Sequence, residues 1–423
     1  MKKSLSDTLI FSIRGRKGSS SVFLMMIMTA MLILVLALVA ATEKTASAGA
    51  SDALFSMAGR SVLAEYDRAL QKEYGLFAVR AFEPEIEKKI RFYVDSTYGG
   101  MNYFRLASVK TDAAGCSLQD TEVFKKEVID CVKYETARGL AGKLTEGRGS
   151  GSAVSSGTGG IGAGGESRDF VLRNSAVINE LPSRGIADGS SIIDKVRNIG
   201  DGSGNVFRAG TERYMINQYI MDHFKNAQDS RGGRDTFFNY EAEYILEGSM
   251  SDEKNRKKFR AELTVLRNAV NVLYIKSRPD MMAEVTALAA AMTPGPEAAI
   301  TEIALIELWA LAEAENDVEI LMHGGKVPVA KTPATWAADL KAAVKGRAGY
   351  IDTHSPTGLT YQGYLQAFLF FKGEEVKLAR MMDLIQINLK GTSDRDFLIK
   401  ECCTGFRVTA KVNGRTYSYA HTY

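Results

Sequence analysis

The 53 Lys/Arg and 50 Asp/Glu of this 423-residue chain give a formal charge of +3, and Lys2, Lys3, Arg14, Arg16 and Lys17, against Asp7 alone, hold that surplus in the leader. The remainder is close to neutral, which excludes the clustered basic face that nucleic acid needs; its most basic stretch, residues 254–260, reads as a solvated helix face. Four cysteines exclude a disulfide scaffold, and the roughly 380 residues beyond the leader and span are enough to build cores without staples.

Residues 22–41, VFLMMIMTAMLILVLALVAA, carry no charge and no proline. At about 1.5 Å of rise per residue they reach roughly 30 Å, the hydrocarbon thickness of a bilayer, so the pattern predicts one transmembrane helix. The basic leader, residues 1–21, then keeps the N-terminus cytoplasmic by the positive-inside bias and places everything beyond residue 42 outside the cell membrane.

The apolar pattern does not stop at the membrane. Phe55, Ala58, Val62, Leu63, Tyr66 and Leu70 recur at threes and fours, which predicts that the span runs on unbroken to about residue 70 and docks one stripe on the exported domain. The small-residue cluster 46–51 permits close helix approach or forms a bendable, signal-peptidase-like neck. Gly75 serves as a helix stop. A charged helix over 83–93, a strand over 102–111 and an amphipathic helix over 120–144 complete a stalk and first exported region, residues 42–145. Residues 146–168, dominated by Gly and Ser, read as a linker or long surface loop.

Residues 169–423 form the second exported region, with helices predicted over 211–226, 252–276, 280–292, 297–322, 360–371 and 374–389. Residues 298–311 are apolar almost all the way round, which predicts a central core helix. Residues 237–246 suggest a strand or turn. Residues 396–410 and 415–421 flank Asn413-Gly414, a pair that favours the type I′ turn, and predict a hairpin. The class is α+β, mostly helical with a small antiparallel sheet.

The motifs that carry chemistry are thin. Gly157, Gly159 and Gly162 match GxGxxG by letter, but no strand precedes them and no helix opens from them. Asp201, Ser203, Asn205 and Glu212 fall on calcium-loop spacing, yet Val206 stands where the loop needs glycine, so a plain Asp-Gly turn is preferred. His223, His323, His354 and His421 show no zinc spacing and no HExxH. Ser251 matches SxxK with Lys254 and reads better as an N-cap. Glu302, Glu307 and Glu313 on the apolar helix are expected to pair with Lys or Arg or to lie at its edge. Vicinal Cys402 and Cys403 allow a redox ring, though strand-like sequence favours one thiol inward and one outward, and a bond between Cys116 and Cys131 stays open. No catalytic constellation, metal site, cofactor or small-molecule substrate is expected.

The leader and span, with Gly18-Ser19-Ser20-Ser21-Val22-Phe23, resemble the pseudopilin-like proteins of tight-adherence (Tad, Flp-type) pilus systems, the TadE/TadG-like group. In that group a basic leader ends in a glycine after which a prepilin peptidase cuts, which here would fall between Gly18 and Ser19. Phe23 departs from the glutamate of processed pilins, so cleavage stays open. Residues 58–77, 238–255, 307–336 and 379–389 resemble an uncharacterised ectodomain family of Gram-positive bacteria found beside Tad pilus genes. The resemblance implies a non-enzymatic, membrane-anchored component or assembly factor of a Flp/Tad-type pilus or related secretion apparatus, with the lipid bilayer and other pseudopilin-like proteins as partners. The alternatives are a pilus-independent cell-surface binding or adhesion protein and, from another class, a cell-wall hydrolase.

Overall fold

The computed structural model describes residues 17–98, 104–146, 175–186, 188, 206–229, 235–347, 349–353 and 355–423. The leader up to residue 16, the Gly/Ser segment beyond Glu146, the GxGxxG match, Asp201, Ser203, Asn205 and His354 lie outside them. The elements in chain order are α1 (Lys17–Leu63), α2 (Arg68–Tyr74), β1 (Val79–Arg80), α3 (Glu83–Tyr98), β2 (Leu106–Asp112), α4 (Thr121–Glu146), α5 (Ser175–Asn179), α6 (Val206–His223), α7 (Glu241–Glu247), α8 (Asp252–Ser277), α9 (Pro279–Met292), α10 (Ala298–Met322), α11 (Leu340–Val344), α12 (Tyr361–Phe371), α13 (Glu374–Thr392), β3 (Cys402–Cys403), β4 (Gly405–Val412) and β5 (Arg415–Thr422). The mostly helical α+β class with a small antiparallel sheet is the one the periodicities indicate.

Two compact units do not follow chain order: one comprises residues 1–66, 79–114 and 405–423, the other 67–78 and 115–404. In the first, β4 lies between β2 and β5 in an antiparallel sheet. Its residues alternate, with Phe406, Val408, Ala410 and Val412 buried and Arg407, Thr409 and Lys411 exposed, so one face of the sheet is a core face. That face and the buried side of α3 (Ile86, Ile90, Val94) enclose Leu54, Phe55, Ala58, Val62 and Leu63 of α1. Asn413 (φ 49°) and Gly414 (φ 79°) both take left-handed conformations between β4 and β5, as the type I′ turn requires. Gly59 is needed for a close approach: a Cβ there would stand 2.4 Å from the imidazole of His421.

The expectation of one helix running to residue 70 is corrected. α1 ends at Leu63, whose carbonyl accepts a hydrogen bond from the Tyr423 hydroxyl. Asp67 then caps α2 by accepting from the Leu70 amide at 2.9 Å. An aspartate side chain competing for backbone donors starts a new helix here, a local signal stronger than the continuing apolar period. Leu70 is buried in the second unit's core, not in the first's.

In the second unit the central element is α13. Every residue from Lys377 to Lys390 is buried. The unit's main core gathers around it from α2, α4, α6, α7, α8, the end of α10 and α12. A separate apolar cluster joins Ile275 of α8, Met281, Val285 and Ala289 of α9, and Leu305, Ile306, Trp309 and Ala310 of α10. This corrects the reading of residues 298–311 as a central core helix: Ile300 is 72% and Ile303 64% exposed. The strand reading of residues 237–246 is likewise corrected, because Glu241–Glu247 is helical and Gly248 (φ 73°) closes it, its amide bonding to the Tyr244 carbonyl. Two acidic residues in the first turn favour the helix, and each accepts from a backbone amide, Glu241 from Lys225 and Glu243 from Ala227, each at 2.9 Å.

Candidate functional site

The part of the molecule with the clearest physical demand on its surroundings is the first half of α1. It is the one candidate among the described residues for a helix long and apolar enough to cross a membrane. From Ser20 to Ala46 every residue is exposed, including Phe23 (67%), Met25 (72%) and Ile33 (66%), and burial of one face of the same helix begins at Ser47. Its threonine hydroxyls are satisfied internally: Thr29 donates to the Met25 carbonyl at 2.9 Å, Thr42 to that of Val39 at 2.8 Å and Thr45 to that of Ala41 at 3.0 Å. Internal satisfaction of every polar group is what a hydrocarbon surrounding requires. Gly18 and Ser19, the sequence-predicted processing point, fall in the first turn of α1.

Where the apolar run ends, the first unit forms a cleft of about 770 Å³ lined by Ala40, Glu43, Lys44 and Ser47 of α1, by Arg105, and by Asn413 and Arg415 at the hairpin turn. Three cations and one carboxylate give it a positive balance. The turn fixes its wall: the Asn413 side chain donates to Ser47 Oγ at 2.9 Å and accepts from the Arg105 amide at 2.9 Å, and the Asn413 amide donates to the Arg105 carbonyl at 3.0 Å. One level further along α1, Tyr419 stacks on Phe55 with centroids 5.4 Å apart and donates to Asp52 at 2.7 Å.

The second unit holds buried charges, and they pair with one another. Lys331 donates to Glu313, to Asp317 at 2.6 Å and to the Thr335 carbonyl at 2.8 Å. Arg267 donates to Asp317 at 3.0 Å, to the carbonyls of Pro328 and Val329, and to the Tyr364 hydroxyl. Glu313 also accepts from the amides of Ala337 and Ala338 at 3.0 and 2.7 Å. Two cations balance two carboxylates, and all four side chains are at most 1% exposed, so the network fastens the segment after α10 onto α8 and α10. Glu313 is therefore paired, as its position on an apolar helix suggests, while Glu307 is exposed and accepts from Asn268 at 3.1 Å. A second network surrounds α13: Asp383 accepts from the Ser183 amide at 3.0 Å and the Tyr244 hydroxyl at 2.8 Å, and Asn388 donates to Glu241 at 2.6 Å. Burial pushes Glu243 up to about 7 and Lys377 down to about 7.

Ser251 caps α8 by accepting from the Lys254 amide. All four cysteines are free, and Cys402 and Cys403 are both buried, in place of the inward and outward pair the strand pattern suggests. His323 lies at the end of α10 against Tyr350, and His421 packs on Phe406. His223 ends α6 beside Glu135, at 3.4 Å, and Cys131. That grouping was invisible in the sequence: Cys131 and Glu135 are one helical turn apart, but their neighbour comes from a helix far along the chain.

Residues 173–414 match the model of a family described as "Family of unknown function (DUF5702)", more than half of the chain. No curated protein and no solved structure matches it.

Proposed function

The chain belongs to the DUF5702 family of unknown function, and we propose that it is a single-pass, membrane-anchored and non-enzymatic component or assembly factor of a Flp/Tad-type pilus or related secretion apparatus. The observation that carries this reading is the division of α1. In its first half residues 22–41 are exposed, uncharged and apolar but for Thr29, and its second half is part of a folded core. A leader made to be discarded has no need to be continuous with the core it precedes. The neck supports retention too: residues 46–51 are helical, with Ser47 and Ser51 buried, whereas a peptidase requires extended, accessible backbone.

Membrane depth supports the role of the basic cleft. At about 1.5 Å per residue, Lys44 and Ser47 stand roughly 5 and 9 Å beyond Ala41. Headgroups occupy about 5–7 Å outside the hydrocarbon on each side, so Lys44 reaches the layer of lipid phosphates, and Arg105 and Arg415 share its cleft. The N-terminus faces the cytoplasm on the charge of the leader, and the two compact units act outside. The pilus assignment itself rests on the resemblance of the leader and span to TadE/TadG-like proteins.

The experiment is co-purification from membranes of the producing cell, with the native span and with residues 22–41 replaced by an unrelated apolar sequence. The reading expects pilin-like or Tad assembly proteins with the native chain and their loss with the replaced span. Partners that are unchanged by the replacement, together with normal piliation after deletion of the gene, would overturn it in favour of a pilus-independent surface-binding protein.

A further inference from the structure

Cys131, Glu135 and His223 bring a thiol, a carboxylate and an imidazole together in the second unit, with one donor atom from each within 4.8 Å of the other two. Three helices arrange this. Cys131 and Glu135 lie four residues apart on α4 and so project from one face, and His223 is the last residue of α6. The third is α2, whose closing residue Gly75 adopts φ 68°; a Cβ there would stand 2.6 Å from Cys131 Sγ and 3.7 Å from the His223 ring. The glycine thus leaves the space into which the thiol and imidazole converge.

We infer that these three side chains form a binding site for a thiophilic divalent cation, with Zn²⁺ the ion that fits best. Tetrahedral zinc holds its ligands about 3.3–3.6 Å from one another, given Zn–S of about 2.3 Å and Zn–N and Zn–O of about 2.0–2.2 Å. His223 Nε2 and Glu135 Oε1 already stand 3.4 Å apart. The remaining separations, at most 4.8 Å, need to close by no more than about 1.5 Å, within the reach of a side-chain torsion. A mixed sulfur, nitrogen and oxygen set suits zinc and does not suit calcium or magnesium, which take oxygen cages. Burial is graded across the site: Cys131 is buried, the His223 side chain is 12% exposed and that of Glu135 45% exposed. The fourth coordination position therefore opens on the Glu135 side, where water completes the tetrahedron.

Electrostatics agree with a cation at this point. Burial, with the nearby carboxylates Glu135, Glu127 and Asp222 adding to it, pushes the Cys131 thiol up to about 12, so without a cation it stays protonated and inert. A bound divalent ion reverses that balance, and the thiol proton passes to solvent as the Zn–S bond forms. The ion would tie α4 to α6.

The test uses full-length protein in detergent, stripped with chelator and then dialysed against Zn²⁺ or, for spectroscopy, Co²⁺. One equivalent of Zn²⁺ per chain is expected, together with a sulfur-to-cobalt charge-transfer band that disappears in Cys131→Ala. His223→Gln and Glu135→Gln should each weaken Zn²⁺ binding by about tenfold or more, while Cys116→Ala leaves it unchanged. Glu135 is on the surface, so its variant carries the test even if the Cys131 variant fails to fold. Zn²⁺ content no higher than in Cys131→Ala, or binding indifferent to both Glu135→Gln and His223→Gln, would overturn the site and leave Cys131 an ordinary core thiol.

Discussion

The two halves of α1 are one continuous helix, yet they are built for different surroundings. From Ser20 to Ala46 all sides are exposed and apolar residues occur on every face, whereas from Ser47 to Leu63 only one face is buried and it meets a specific partner surface. On the proposed membrane reading, the side chains of the first half need only be apolar, because a bilayer is indifferent to their shape. In the second they must fit a close-packed core. The difference teaches that hydrophobicity alone does not say what a helix is for; tolerance to substitution does, and it should change abruptly near Ser47.

The largest effect is therefore expected from Phe55, fully buried and stacked on Tyr419. Phe55→Ala should lower stability by about 3–5 kcal/mol and Leu63→Ala by about 2–5 kcal/mol in thermal or denaturant unfolding of the detergent-solubilised chain. Leu34→Ala, in the exposed half, should change neither midpoint. A comparable loss at Leu34 would mean that the first half also packs on protein.

Next in size is Gly59→Val. Its side chain would collide with His421, and overpacking of this kind costs about 1–3 kcal/mol. Gly49→Val, in the neck, meets nothing within 4 Å and should be felt far less.

A smaller effect comes from acid. Burial, with Arg60 contributing, holds the His421 imidazole below its usual 6.5. The unfolded chain then takes up this proton before the folded chain does, so stability is full above about pH 6.5 and is lost as pH falls through 6.5 toward the depressed value. Glu243 in the second unit, raised to about 7, works in the opposite sense, gaining stability as pH falls from 7 toward 4.5. The difference in melting temperature between the parent and His421→Gln isolates the first contribution, and it should shrink between pH 8 and pH 5. A difference independent of pH would remove His421 from the account.

The smallest effect on stability is expected at the boundary between the halves. Replacing Lys44, Arg105 and Arg415 together by Gln should leave the fold intact and reduce the preference for vesicles containing anionic phospholipid over neutral ones, by about 1 kcal/mol for each cation that meets the surface. Equal retention on both kinds of vesicle would show that the cleft does not meet headgroups.

The sequence made much of this legible where a single chemical rule decides the structure. The Asn413-Gly414 turn needs two positive φ angles, and the apolar run 22–41 has the length and composition of a candidate membrane span. The helices Asp252–Ser277, Pro279–Met292 and Glu374–Thr392 follow from period and caps. What escaped was what depends on partners. Lys377, Arg380, Asp383 and Asn388 make α13 look amphipathic, but each is paired inside the fold, so the longest buried run of helix carries polar and charged side chains. The apolar segment 298–311 looked central because nothing in a sequence says that Ile300 and Ile303 stay uncovered. Glu241 and Glu243 became a helix start through amides of residues 225 and 227. The grouping of Cys131, Glu135 and His223 had no spacing to betray it.

The central claim is that α1 stays with the mature protein as its membrane anchor, leader inside and folded units outside. Epitopes placed at Ser4 and at Ser418 and probed on intact and on permeabilised cells test it most directly. The account predicts that both epitopes remain on one membrane-retained polypeptide, with Ser418 accessible on intact cells and Ser4 only after permeabilisation. A released chain lacking the Ser4 epitope and the apolar half of α1, or Ser4 exposed while Ser418 is protected, would contradict it.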